Sequence, residues 1–150
     1  MLTIIRTDSA NPDFIELVKE LDADLAFRDG DDHAYYAQFN KIQNINYCLV
    51  AYQDEKPISC GAIKEFDAES MEVKRMFSRP EWRGQGMASK ILQELQTWTA
   101  ELGYKKCVLE TGKNQPEAIA LYLKSGFEII PNYGQYAGVE NSVCFEKRVV

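Results

Sequence analysis

At 150 residues, 45% hydrophobic and 27% charged, the chain has the balance of a soluble globular protein and suits one domain spanning 1–150. Its net charge of −6 argues against indiscriminate nucleic-acid binding. No apolar run approaches a membrane span, and Met1-Leu2-Thr3-Ile4-Ile5-Arg6 lacks the marks of a secretion signal, so the expected setting is the cytoplasm with no membrane partner.

In chain order, Leu2 to Arg6 alternates as a first strand, and Asn11-Pro12 supplies a cap and a first-turn proline. Phe14, Leu17, Val18, Leu21 and Leu25 then recur at helical spacing, giving a helix from about Pro12 to Ala26. The polar run from Arg28 to Tyr36 reads as a solvated loop, since its acids do not match a calcium loop. Phe39 and Ile42 suggest a short second helix before Asn44. Tyr47 to Tyr52 and Ile58 to Phe66 read as a hairpin joined by a loop of a few residues, Gln53 to Pro57. Met71 to Ser78 is the third strand of this meander.

A helix from Gly86 to Leu102 follows, with Met87, Ile91, Leu95, Trp98 and Leu102 on one face and Gly103 at its end. Tyr104 to Thr111 is a strand that returns to the same sheet by a crossover. Pro116 opens a helix that Gly126 closes, Phe127 to Ile130 is a strand, and Pro131 to Gly138 is an aromatic loop. Ser142 to Val149 is the last strand. The result is an α/β fold of the α+β type, with a mixed and mostly antiparallel sheet flanked by helices.

The stretch from Met76 to Ala88 carries the chemistry. A strand, a glycine-containing turn and a helix N-terminus follow one another there, so several backbone amides point outward where the macrodipole is positive. Gly84 and Gly86 allow close approach of a ligand to the backbone. Lys74, Arg75, Arg79, Arg83 and Lys90 add positive charge against the single acid Glu81. This is an anion cradle, best suited to a pyrophosphate, while the acidic remainder suits a cationic co-substrate. Neither a G-x-G-x-x-G dinucleotide fingerprint nor a Walker A Gly-Lys-Ser/Thr is present. The four cysteines form no CxxC pair, and the single histidine, His33, supports neither a zinc site nor a His-based triad, so no metal is expected.

Arg83-Gly84-Gln85-Gly86-Met87-Ala88 fits Arg/Gln-x-x-Gly-x-Gly/Ala after a strand. Farther along, Ala118-Ile119-Ala120-Leu121-Tyr122-Leu123-Lys124-Ser125-Gly126-Phe127 fits A-x-x-L-Y-x-x-x-G-F. In this spacing and context the pair resembles the GNAT superfamily of acyl-CoA-dependent N-acetyltransferases, with the clear likeness running from Ile58 to Ile130.

The resemblance implies a single-domain fold with a V-shaped splay between central strands and acetyl-CoA as co-substrate. The turn Arg83, Gly84, Gln85, Gly86, Met87 and Ala88 would hold the CoA pyrophosphate, and Met76, Phe77 and Ser78 would pair with its pantetheine arm. Tyr122 stands where the family commonly has a general acid. Glu72 and Glu110 are both candidates for the carboxylate that takes the amine proton. Gln115, or Asn114 beside it, occupies the place of a frequent cofactor-contacting asparagine, and Ser78 stands where an apolar β-branched residue is more usual.

Acceptor-facing groups would be Arg28, Tyr35, Tyr36, Tyr133 and Tyr136, with aromatic rings around an amine's stem and Arg28 on a carboxylate. The implied activity is transfer of acetyl to a primary amine, in a ternary complex, with a small amine or amino acid as acceptor. A non-catalytic acyl-CoA sensor, or an enzyme modifying a protein N-terminus or lysine, stays open, as does a homodimer.

Overall fold

Asn11 shows why the first helix starts where it does. Its Oδ1 accepts hydrogen bonds from the amides of Asp13 (2.8 Å) and Phe14 (3.1 Å), and Pro12 follows with its preset φ. That helix, α1 (Pro12–Asp29), comes after strand β1 (Leu2–Thr7). The computed structural model describes residues 1–29 and 44–150, with backbone alone at 28 and 29. The short second helix expected before Asn44 lies outside the described residues.

Strands β2 (Tyr47–Gln53), β3 (Lys56–Glu65) and β4 (Ser70–Ser78) form an antiparallel meander. A 3₁₀ turn (Pro80–Trp82) leads to α2 (Met87–Glu101), then β5 (Lys106–Gly112), α3 (Pro116–Lys124), β6 (Glu128–Ile130), a second 3₁₀ turn (Gly134–Tyr136) and β7 (Ser142–Arg148). The seven strands make one sheet in the order β1-β2-β3-β4-β5-β7-β6. Only β4 and β5 pair in parallel, so the sheet is mixed and mostly antiparallel, as the sequence predicts.

One connection is tighter than its composition suggests. The β2–β3 turn is closed by Asp54 and Glu55 alone, at φ 49° and 73°, where a loop from Gln53 to Pro57 is expected. Two consecutive positive φ values match the twist of flanking strands. The turn lacks the glycine that would have announced it.

The two faces of the sheet bury separate clusters. Leu49, Ile63, Met71, Leu109 and Phe145 pack against Ile91, Leu92 and Leu95 of α2 and Tyr122 of α3. On the other face Cys48, Val50, Cys60 and Phe77 receive Phe14, Leu17, Val18 and Leu21 of α1. All four cysteines are free and buried. Burial pushes the Cys48 thiol up to about 12, which keeps it neutral and unreactive at physiological pH.

Gly61 of β3 sets how closely α2 lies on the sheet. A Cβ there would stand 2.6 Å from Ile91 Cγ2, 2.8 Å from Met76 Sδ and 3.0 Å from Leu95 Cδ1. Gly61→Ala is therefore expected to destabilise the fold by about 1–3 kcal/mol through overpacking. Denaturant unfolding checks this, and an unchanged midpoint would mean that α2 can ride up without loss.

Candidate active site

The centre of the sheet comes apart. Strands β4 and β5 pair only through Ser70, Glu72 and their neighbour Met71, set against Lys106 to Val108. Past that point β4 continues with β3 as far as Ser59↔Ser78, while β5 continues with β7 as far as Gly112↔Ser142. The two strands share no further pairs, which leaves a V-shaped slot between them. The slot is part of a cleft of about 680 Å³ walled by β4, the end of β5, the turn before α2, α3 and the inner side of α1.

A bulge shapes the β4 wall. Cys60 faces Phe77 and Ala62 faces Lys74, so Arg75 and Met76 together oppose Gly61. Arg75 takes the left-handed conformation at φ 60°, a strained choice for a residue with a Cβ, of the kind concentrated at functional sites. Its buried side chain lines the cleft with a guanidinium nitrogen 3.9 Å from Asp22 of α1. At the end of the strand, the Ser59 hydroxyl donates to the Phe77 carbonyl at 2.8 Å and lies 2.8 Å from the Ser78 hydroxyl. That buried polar pair accounts for serine where an apolar residue is usual in such strands.

The turn from Arg83 to Ala88 offers backbone rather than charge. Gly84 (φ 76°) and Gly86 (φ 82°) both line the cleft, and a Cβ at either would meet no protein atom within 4 Å. Gly86 caps α2, whose first amides have no acceptor within the helix. Arg83 lies in the wall, donating from Nε to the Ser78 carbonyl at 2.9 Å, with its own amide bonded to the Pro80 carbonyl. Gln85 donates its side-chain amide to the Glu81 carbonyl on the exposed side.

The basic side chains do not gather at the turn as their sequence clustering suggests. Arg79 makes bonds of 2.7–3.2 Å to Glu20 and one to the Pro57 carbonyl, Arg75 approaches Asp22, and Arg83 stands 3.7 Å from Asp24. Three acids of α1 thus meet three arginines. Anion affinity at the turn falls mainly to the backbone amides, because opposite charges at these distances largely cancel each other's field.

Glu72 and Tyr122 both border the cleft. Glu72 is 9% exposed, its Oε2 accepts from the Tyr133 hydroxyl at 2.7 Å, and its Oε1 lies 3.6 Å from Lys74 Nζ. Tyr122 is 6% exposed and packs its ring against Phe127 and Phe145. Burial, reinforced by the Glu110 charge, raises its phenol well above the ordinary tyrosine value. Glu110 also lines the cleft and accepts from the Ser142 hydroxyl at 2.8 Å.

The remaining candidates divide. Met76, Phe77, Ser78, Met87, Ala88 and Gln115 border the cleft, as does Tyr136. Tyr133 reaches the site through Glu72. Tyr35, Tyr36 and the Arg28 side chain lie outside the described residues. The sequence reading missed Leu21, Asp24 and Leu25 of α1 as wall residues. Leu21 and Leu25 carry an apolar helical stripe that serves core and cleft alike, so periodicity could not separate the two. Among the described residues, no group of three His, Cys, Asp or Glu side chains converges to hold a metal ion, and no helix is long and apolar enough to cross a membrane.

Comparison with known proteins agrees with this geometry. Residues 14–127 match the Acetyltransferase (GNAT) family. An IAA acetyltransferase from Azospirillum brasilense is 32% identical over 155 residues, covering 97% of each chain. A solved structure from Klebsiella pneumoniae, assigned as an acyl-CoA N-acyltransferase, superposes with a TM-score of 0.84 at 26% identity over 100% of this chain and 99% of its own. The fold is shared by a Thermoplasma acidophilum PaiA N-acetyltransferase solved with coenzyme A, at a TM-score of 0.73 and 15% identity over 99% of each chain. This chain therefore belongs to the GNAT family of acetyltransferases and is an acyltransferase enzyme.

Proposed function

We propose that this enzyme moves the acetyl group of acetyl-CoA to a primary amine by direct transfer within a ternary complex, the acceptor being a small amine or an amino acid. The observation that carries the reading is the slot between β4 and β5, which opens onto the turn at Gly84 and Gly86. The residues present fit such a co-substrate. Amides at the N-terminus of α2 suit a pyrophosphate, open space at both glycines leaves room for it, and Met76 to Ser78 offer a strand edge to an extended arm. Gln115, at the start of α3, adds a side-chain amide at the cleft wall.

The bound thioester would supply an electrophilic carbonyl carbon and a thiol leaving group. An alkylammonium has a pKa of about 10 and must lose a proton before it can attack. Glu72, nearly buried at the apex of the split, takes that proton directly or through a water; Glu110 is the alternative on the opposite strand. Tyr122 keeps its proton because its phenol is raised, and it donates to the departing sulfur, whose proton affinity rises in the same desolvated site. Direct transfer is supported by the cysteines, since all four are buried and none borders the cleft. The name of the Azospirillum relative puts IAA among the acceptors to try.

Tyr122→Phe tests the assignment. Turnover is expected to fall about 10- to 100-fold with calorimetric acetyl-CoA affinity unchanged. Because the phenol is raised, wild-type kcat should show no alkaline decline from Tyr122 up to about pH 10, the ordinary tyrosine value. Intact turnover of the phenylalanine variant across that range would leave Tyr122 a packing residue only.

A further inference from the structure

The loop between β6 and β7 is built to deliver one hydroxyl. Asn132 Nδ2 donates to the carbonyls of Val139 (2.9 Å) and Ser142 (3.1 Å), closing the loop against the start of β7. The Tyr133 ring stands edge-on to Phe66 at 4.8 Å and to Tyr136 at 5.8 Å, which fixes its direction. From there its hydroxyl donates to Glu72 Oε2 at 2.7 Å, across 61 residues of sequence.

We infer that Tyr133 is a positioning residue for acyl transfer: it occupies one oxygen of Glu72 and turns the other toward the cleft. The inference rests on Glu72 being the base. A lone carboxylate on a strand can rotate about its last torsion, and only some orientations aim a lone pair at a bound amine. With Oε2 held by Tyr133, Oε1 is left on the side of Lys74, 3.6 Å away, to receive the proton. The other titratable groups near this carboxylate are Glu110 on β5, Cys144 on β7 and Tyr136 on the same loop. The Tyr133 hydroxyl donates to Glu72 Oε2 at 2.7 Å, and that bond sets the orientation of the carboxylate. Burial and the Glu72 charge both raise the Tyr133 phenol, so it stays a donor throughout the working range.

Tyr133→Phe keeps the ring against Phe66 and Tyr136 and removes only the donor. With acetyl-CoA and the fastest acceptor from a panel of alkylamines and α-amino acids, kcat should fall about ten-fold. The acidic limb of the kcat/KM profile should move to higher pH, with KM for acetyl-CoA unchanged. In a Glu72→Gln background the same change should cost nothing further, because the two residues act as one unit.

An unmoved acidic limb would overturn the inference while leaving Glu72 as the base. Losses that multiply in the double variant would do the same. If Glu72→Gln alone keeps wild-type turnover, the base assignment fails and takes the inference with it. A variant that merely loses folded protein would scale kcat without moving the acidic limb.

Discussion

Glu72→Gln is expected to lower kcat about 10²- to 10³-fold while leaving acetyl-CoA affinity within about two-fold of the parent. The substitution keeps the size of the side chain and its acceptor oxygen, so Tyr133 still has a partner at the apex of the split. What disappears is the ability to take a proton. The deficit should therefore narrow as pH rises toward about 10, where the amine arrives already deprotonated. Steady-state kinetics at several pH values, with calorimetry for the co-substrate, separates this from misfolding. A deficit that stays constant with pH would mean that Glu72 holds the acceptor instead of deprotonating it. No deficit would pass the role to Glu110, which sits two residues beyond the last β4–β5 pair on the opposing strand.

Gly86→Val carries the second large effect, on binding. A β-branched residue at φ 82° is strained by about 1–2 kcal/mol, which lowers stability by itself. A Cβ there meets no protein atom within 4 Å, so the added side chain would enter the open space from which a pyrophosphate would approach the α2 amides. Affinity for acetyl-CoA is expected to fall at least about ten-fold, and Gly84→Val should behave alike. Gly103→Val is the control. It has a left-handed φ of 91° and the same open surroundings, but lies beyond the far end of α2 and outside the cleft wall. If Gly103→Val weakens binding as much as Gly86→Val, strain and not the cradle is responsible. Unchanged affinity in Gly86→Val would remove the turn from the site.

What could be read from the residues alone was local. The cap at Asn11-Pro12, the apolar stripe of α2, the glycine stop at Gly103 and the strand–turn–helix passage around Gly84 and Gly86 each depend on a few neighbouring residues, and each is where it was expected. The cleft wall made by the end of β4, the turn and the start of α2 was legible for the same reason, since strand, turn and helix start are contiguous in the chain. What escaped depends on contacts that spacing does not encode. The arginines near the turn look like an anion site until Glu20, Asp22 and Asp24 are brought across from α1. The bulge at Arg75 has no glycine to betray it. Tyr133 reads as an acceptor-side aromatic, and only the fold shows its hydroxyl on Glu72. The α1 side of the cleft was the least legible part for the same reason, since Leu21, Asp24 and Leu25 reach it only through the fold.

The account stands most directly on free-thiol release from acetyl-CoA, measured across a panel of alkylamines, α-amino acids, peptides and IAA. The same samples are followed for melting temperature, since a ligand held only by the native state must raise it. The expected result is a raised melting temperature with acetyl-CoA and thiol release that depends on at least one small amine, lost in Glu72→Gln. A raised melting temperature with no amine-dependent release would contradict catalysis and mark the cleft as a binding site alone.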